Sequence, residues 1–317
     1  MDFNSFVSTI ASLFVMLAVG FFAGKLGIID SPASKKLSEL ILKISQPALI
    51  ISALTSVNYS SQNLGLGLGT ILIGFALHGF FALIAFVACM KIRGIDEKKI
   101  MNMLMIFGNT GFIGIPLLTS LIGEIGGFMA SFMAVSFNIL FWTLGIATIG
   151  KGRDDIKLTL KLALINKGTI PSLIGFGIFL VPAFLPSFTM PNFVSSALSA
   201  ISSLCTPVSL LIIGALLSTR TPKQILGSPK IYYVCLFKLL VTPILVCVIT
   251  KLIGLDDIWI IFATAISAMP SATSSTMLAE TYDIAPAFSA QGVGTSTLFS
   301  VATMPMIMWI AQKIIEL

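Results

Sequence analysis

In one strongly apolar stretch of the chain, Gly108-Asn109-Thr110-Gly111-Phe112-Ile113-Gly114-Ile115-Pro116 sets an amide and a hydroxyl among helix-breaking residues. A second apolar stretch far downstream does the same at Ser267-Ala268-Met269-Pro270-Ser271. A helix interior loses about 1 kcal/mol at each glycine and about 3 at a proline relative to alanine, so keeping 108 to 116 helical would cost roughly 6 kcal/mol. Both stretches are expected to break. The half-helix after each break starts with N–H groups that have no intrahelical partner, and proline suits that first turn because its missing N–H is not needed there. Asn109, Thr110, Ser267 and Ser271 could cap or supplement those ends. Two such ends aimed at one midpoint would combine partial positive charge with hydrogen-bond donors, which is chemistry that holds an anion.

The charge census has the same sign. All thirteen Asp and Glu fall in polar loops or at the ends of apolar runs, while Lys43 and Lys238 lie a short way inside such runs. Both lysines are expected to snorkel to the nearer surface. A proton or sodium antiporter would place a carboxylate beside the breaks, and none is available. Sodium could instead be held by hydroxyls and carbonyls, for which Thr273, Ser274, Gln291 and Thr295 are candidates, with Ser275, Thr276, Ser296 and Thr297 beside them. Hydroxyl-lined helix contacts are the plainer reading of those residues.

The elements that must position these groups are membrane helices. Hydrophobic residues make up 56% of the 317 and charged residues 10%, against about 25% charged in soluble domains. Apolar runs at 6–24, 37–57, 64–90, 99–122, 127–149, 161–182, 193–217, 231–252, 258–280 and 287–312 each approach the ~20 residues that a span requires. The expected fold class is therefore an all-α polytopic membrane protein with ten transmembrane helices, of which the fourth and ninth are broken. Only Asp2 among charged residues precedes the first run, so an uncleaved span is expected there rather than a signal peptide.

Fifteen of the nineteen Lys and Arg residues fall in alternate loops, from Lys25, Lys35 and Lys36 to Arg220, Lys223 and Lys230. By the positive-inside rule those loops are cytoplasmic and both termini lie outside the cell membrane. The net charge of +6 follows from this and implies no nucleic acid. The most polar stretch divides the chain into a first five-helix repeat (1–149), a short linker (150–160) and a second five-helix repeat (161–317). With an odd number of spans in each half, the second enters the membrane from the opposite side, which defines an inverted repeat. Leu121-Ile122-Gly123-Glu124 and Met277-Leu278-Ala279-Glu280 close the two broken runs alike, and Pro47 and Pro207 are matched mid-run prolines in the second and seventh.

The four cysteines, Cys89, Cys205, Cys235 and Cys247, form no C-x-x-C pair, and the single His78 lies mid-run. They are read as packing residues and as a histidine satisfied by a neighbouring helix; no metal or cofactor is expected.

Asn109-Thr110 followed by Gly114-Ile115-Pro116-Leu117-Leu118 resembles the crossover motif of the auxin efflux carrier family, which includes plant carriers and bacterial organic-acid permeases. Met269-Pro270, Ala279-Glu280, Tyr282, Ser289 and Met304-Pro305 resemble the same family in order and spacing, as do Pro47, Pro171 with Gly175, and Pro207-Val208-Ser209-Leu210 before Gly214-Ala215. The resemblance covers essentially the whole chain. It implies a five-plus-five inverted repeat in which helices 4 and 9 cross, helices 1, 2, 6 and 7 form a scaffold that dimerises, and helices 3–5 and 8–10 form a moving transport domain. It further implies that Asn109 contacts the substrate carboxylate, with Asn138 as a looser candidate, and that Pro116 and Pro270 open the two helices; from the breaks themselves, Thr110 and Ser271 are further substrate-binding candidates and Gly111 and Gly114 complete the crossover. The linker is much shorter than in the plant carriers, so regulation through it is not expected.

The function expected is secondary transport of a small organic anion, a carboxylate such as malate, malonate or an indole carboxylate, by alternating access and without sodium. A sodium- or proton-coupled symporter on the same fold is the alternative. A channel would draw its filter from identical subunits, and a sensory protein would carry an output domain. An intramembrane hydrolase would need a nucleophile and base or a metal site, for which this chain offers only a Ser with Lys43 or Lys238.

Overall fold

Proline placement explains much of the helix geometry in the computed structural model, which describes residues 3–152, 169–219, 221 and 228–316. The described residues are helical apart from connecting loops and one isolated β-bridge. Wide π-helical turns occupy Ile41–Ser45, Thr110–Gly114, Phe141–Gly145 and Phe237–Val241, and all but Phe141–Gly145 end two residues before a proline, at Pro47, Pro116 and Pro243. In an α-helix a proline lacks the N–H that bonds residue i−4 and presses its ring on that carbonyl. In all three cases residue i−4 lies inside the wide turn, which moves the carbonyl aside and lets the helix continue.

Among the described residues, seven helical stretches are long and apolar enough to cross a membrane: Ser8–Lys25, Ser31–Thr55, Ser61–Ala88, Glu124–Gly150, Asn192–Ser218, Pro229–Leu252 and Pro286–Glu316. Thr169–Phe184 and Asp257–Ala268 are shorter apolar helices. The linker from 153 to 160 and the first part of the sixth run, 161–168, lie outside the described residues, as do Arg220 and Lys223.

The expectation that 108–116 unwinds as a whole is corrected. Helix α5 (Ile95–Ile106) ends, only 107–109 leaves the helical path, and the π-turn from Thr110 runs directly into α6 (Ile115–Ile122). Gly111, Gly114 and Pro116 are thus helical, because the wide turn supplies the room that proline needs. In the other broken run Asp257–Ala268 is followed by extended residues 269–272 and then Thr273–Thr281.

The chain forms two compact units. The first comprises Met1–Leu72, Gly111–Asn138 and Leu164–Arg220. Within it Phe3–Lys25 packs along Cys205–Ser218, where a Cβ on Gly20 would lie 2.3 Å from the Leu211 carbonyl oxygen and one on Gly214 2.1 Å from that of Leu17. Small residues allow this approach, which gives membrane helices the close packing that replaces the hydrophobic effect in lipid. Phe128, Phe132, Phe176 and Phe179 form an aromatic cluster in the same unit, with centroids 4.9 to 6.4 Å apart.

The second unit comprises Ile73–Thr110, Ile139–Ala163 and Thr221–Leu317. Every residue from Lys99 to Ile106 is buried, as are Phe262 to Ser271. Helices buried on all faces carry no amphipathic stripe and mark the centre of a bundle. Lys230 pairs with Glu97 and also donates to the Arg93 carbonyl at 3.3 Å, joining the starts of two helices of this unit. The described residues of expected helices 1, 2, 6 and 7 fall in the first unit and those of helices 8, 9 and 10 in the second, while 3, 4 and 5 pass from one to the other.

Candidate functional site

The two breaks meet. Gly108 and Ser271 form an antiparallel bridge, flanked by hydrogen bonds from the Asn109 N–H to the Pro270 carbonyl (2.7 Å) and from the Ala272 N–H to the Phe107 carbonyl (2.9 Å). Backbone that leaves a helix exposes groups that lipid cannot satisfy. Here each break satisfies the other. The Ser271 hydroxyl donates to the Leu104 carbonyl at 2.8 Å, one of the carbonyls orphaned where α5 ends, and the Ser271 N–H donates to the Ser296 hydroxyl at 3.1 Å. Thr110 N–H turns back to the Gly108 carbonyl at 2.8 Å, a tight i→i+2 turn about Asn109 that swings the chain from extended to helical.

Asn109 is 3% exposed and Thr110 4%, and both join Pro270 and Ser271 in the second unit. Gly111 belongs to the first unit, where a Cβ would sit 2.8 Å from the Gln46 side-chain nitrogen. Gly114 and Pro116 lead into α6 there. Asn138 is also in the first unit, half-buried, and its amide donates to the Ala134 carbonyl at 2.7 Å within its own helix.

The expected capping by Ser267 and Ser271 is corrected. The Ser267 hydroxyl donates back to Thr264 at 2.8 Å, Ser271 is committed to Leu104, and no side chain caps the helix that begins at Thr273. The Ser275 N–H donates to the Ala272 carbonyl at 3.0 Å, so it is the N–H groups of Thr273 and Ser274 that retain donor capacity and partial positive charge. Thr273 and Ser274 are half-buried in that first turn, Gln291 is half-buried and Thr295 fully buried in the last helix, and the Ser275 hydroxyl is buried without a hydrogen-bond partner.

Two ionisable residues differ from expectation. His78 is satisfied within its own helix, with Nδ1 2.8 Å from the Gly74 carbonyl, and its ring lies 5.8 Å from those of Phe81 and Phe107. Lys238 does not snorkel: its side chain is 0% exposed, and its ammonium lies 4.9 Å from the Phe81 ring centroid with no hydrogen-bond partner. It sits in the π-turn before Pro243, and its Nζ lies 3.3 Å from where a Cβ on Gly108 would be. A cation–π contact is worth about 0.5–2 kcal/mol, less than the several kcal/mol that desolvating an ammonium costs. A lysine far from any acid in an apolar run was the available signal. Lys43, by contrast, is exposed and pairs with Glu39 at 2.9 Å. The four cysteines are buried and free.

The model of a family described as membrane transport protein matches residues 5–159 and again 153–308. An uncharacterized transporter of Methanocaldococcus jannaschii is 25% identical over 304 residues, covering 93% of this chain and 96% of its own. A second uncharacterized transporter, of Methanothermobacter thermautotrophicus, is 21% identical over 310 residues, covering 96% and 98%. A protein named as a proposed malonate transporter of Rhizobium meliloti is 22% identical over 317 residues, covering 95% and 94%. Paired helix breaks in an all-helical, strongly apolar chain fit these relatives, and the chain belongs to the membrane transport protein family, that of the auxin efflux carriers its motifs resemble, as a multi-pass transporter and not an enzyme.

Proposed function

We propose that this protein is a secondary transporter of a small organic anion, a carboxylate such as malonate, malate or an indole carboxylate, working by alternating access at the paired breaks. The observation that carries the reading is the Gly108–Ser271 bridge, which places Asn109 beside the uncapped start of the Thr273–Thr281 helix. Donors and partial positive charge meet there, and no described carboxylate pairs with them. The relative named for malonate supports the substrate class.

In this reading ten helices form a five-plus-five inverted repeat, helices 4 and 9 cross at the bridge, and both termini lie outside the cell membrane. Helices 1, 2, 6 and 7 serve as a dimerising scaffold, and the glycine-mediated packing of Phe3–Lys25 on Cys205–Ser218 gives that scaffold a rigid spine. Helices 3–5 and 8–10 move. Asn109, Thr110 and the first turn after Ala272 contact the substrate, while Ser271 and Pro270 hold the breaks together.

Solid-supported-membrane electrophysiology on the purified protein, with malonate, malate and indole-3-acetate, tests this. A saturable current with at least one of these acids is expected, and the absence of any saturable response would overturn it. A sodium-coupled version has one observation in its favour, the unpartnered Ser275 hydroxyl near Thr273 and Ser274, and the same measurement without sodium separates the two.

A further inference from the structure

Lys238 is a fully buried cation that no described residue balances. Its ammonium makes no hydrogen bond, and no described Asp or Glu forms an ion pair with it. His78, its ring tilted 60° to the same Phe81 ring at 5.8 Å, is a neighbouring titratable side chain, and an imidazole brings no negative charge. Lys238 Nζ lies beside the bridge residue of the first break, 3.3 Å from the Cβ position of Gly108. A side chain at 108 would stand between the ammonium and the bridge, so glycine leaves that approach open.

The uncapped helix start after Ala272 adds positive character of its own in the same unit. An ammonium out of water requires an opposite charge or acceptors. Of the two positive features, one lies beside Gly108 and the other begins two residues after Ser271, the bridge partner of Gly108, and no described Asp or Glu pairs with Lys238.

We infer that Lys238 is the counter-charge of the transported anion and selects for dicarboxylates, one carboxylate resting on the Asn109 amide and the Thr273 helix start and the other on Lys238. This rests on the anion-transport reading above. A compact ammonium with three rotatable donors can follow a carboxylate as the site opens and closes, whereas a neutral side chain of equal length offers packing alone. Phe81 holds the ammonium when no anion is present.

The test uses full-length protein in proteoliposomes at a pH where malonate carries both charges, comparing malonate with monomethyl malonate. Wild type is expected to prefer malonate by at least about tenfold, and Lys238→Met to raise malonate half-saturation by about thirtyfold or more while leaving monomethyl malonate within about threefold, so that the preference collapses. A malonate-induced rise in melting temperature should appear in wild type and vanish in Lys238→Met. Unchanged half-saturation and preference in a folded Lys238→Met protein would overturn the role of Lys238 and leave anion transport standing. Wild type that transports both compounds equally well overturns it also, and that result needs no variant. Wild type that responds to no organic acid overturns the transport reading and this inference with it.

Discussion

The Asn109 N–H donates to the Pro270 carbonyl at 2.7 Å, so the two helix breaks complete one another. The bond uses the backbone of Asn109, whose side chain is 3% exposed. Backbone and side chain of this residue can therefore be tested apart.

Asn109→Ala keeps the backbone bond and should fold, with a melting temperature close to wild type. If the amide helps to hold the substrate carboxylate, its loss removes a hydrogen bond to a charged group, about 1.5–3 kcal/mol or roughly ten- to a hundredfold in half-saturation. Concentration-dependent transport currents measure this, and a folded Asn109→Ala protein with unchanged currents would place the substrate elsewhere.

Gly214→Ala should act on stability. The added Cβ would meet the Leu17 carbonyl oxygen at 2.1 Å and the Phe21 nitrogen at 2.6 Å, both backbone atoms that cannot rotate away. Overpacking of this kind typically costs about 1–3 kcal/mol, read as a lower melting temperature in detergent. An unshifted melt would mean that the two helices separate at little cost, against a rigid scaffold.

How far the sequence carried these conclusions depends on the range of the interaction. The breaks near Pro116 and Pro270 were legible because proline and glycine act on their own backbone. The boundaries were not: the π-turn at Thr110–Gly114 accommodates Pro116 and confines the break to 107–109. Of the hydroxyls expected to cap helix starts, Ser271 reaches Leu104, because an orphaned carbonyl is as demanding a partner as a free N–H, and Ser267 bonds back to Thr264 within its own helix. Lys238 lies the same short way into an apolar run as Lys43, yet one is buried against Phe81 and the other exposed beside Glu39. Helix rotation decides between them, and tertiary packing sets it.

The orientation can be read by chemical labelling. Ser61, Pro186, Lys36 and Lys151 are all exposed, so single cysteines at these positions, with the four native ones replaced, are accessible whatever the topology. Cysteines at 61 and 186 should react with an impermeant thiol reagent from outside, and those at 36 and 151 only after the membrane is opened. The reverse pattern would overturn the orientation drawn from the basic loops.

The coupling follows from the charges that the site lacks. With no described carboxylate at the paired breaks, substrate anion moves with its own charge, and transport should respond to membrane potential at about 2.3 kcal/mol per charge per 100 mV. Replacing sodium by a large organic cation should leave the current in place. Ser275→Ala sharpens the distinction. Its hydroxyl is buried without a partner, so its removal leaves no protein group unsatisfied and should cost little stability. In the uncoupled reading the variant transports like wild type at every sodium concentration. A strict sodium requirement that Ser275→Ala weakens would show instead that the hydroxyl-rich turn from Thr273 to Thr276 holds a cation, and that the anion's charge is balanced by an ion travelling with it.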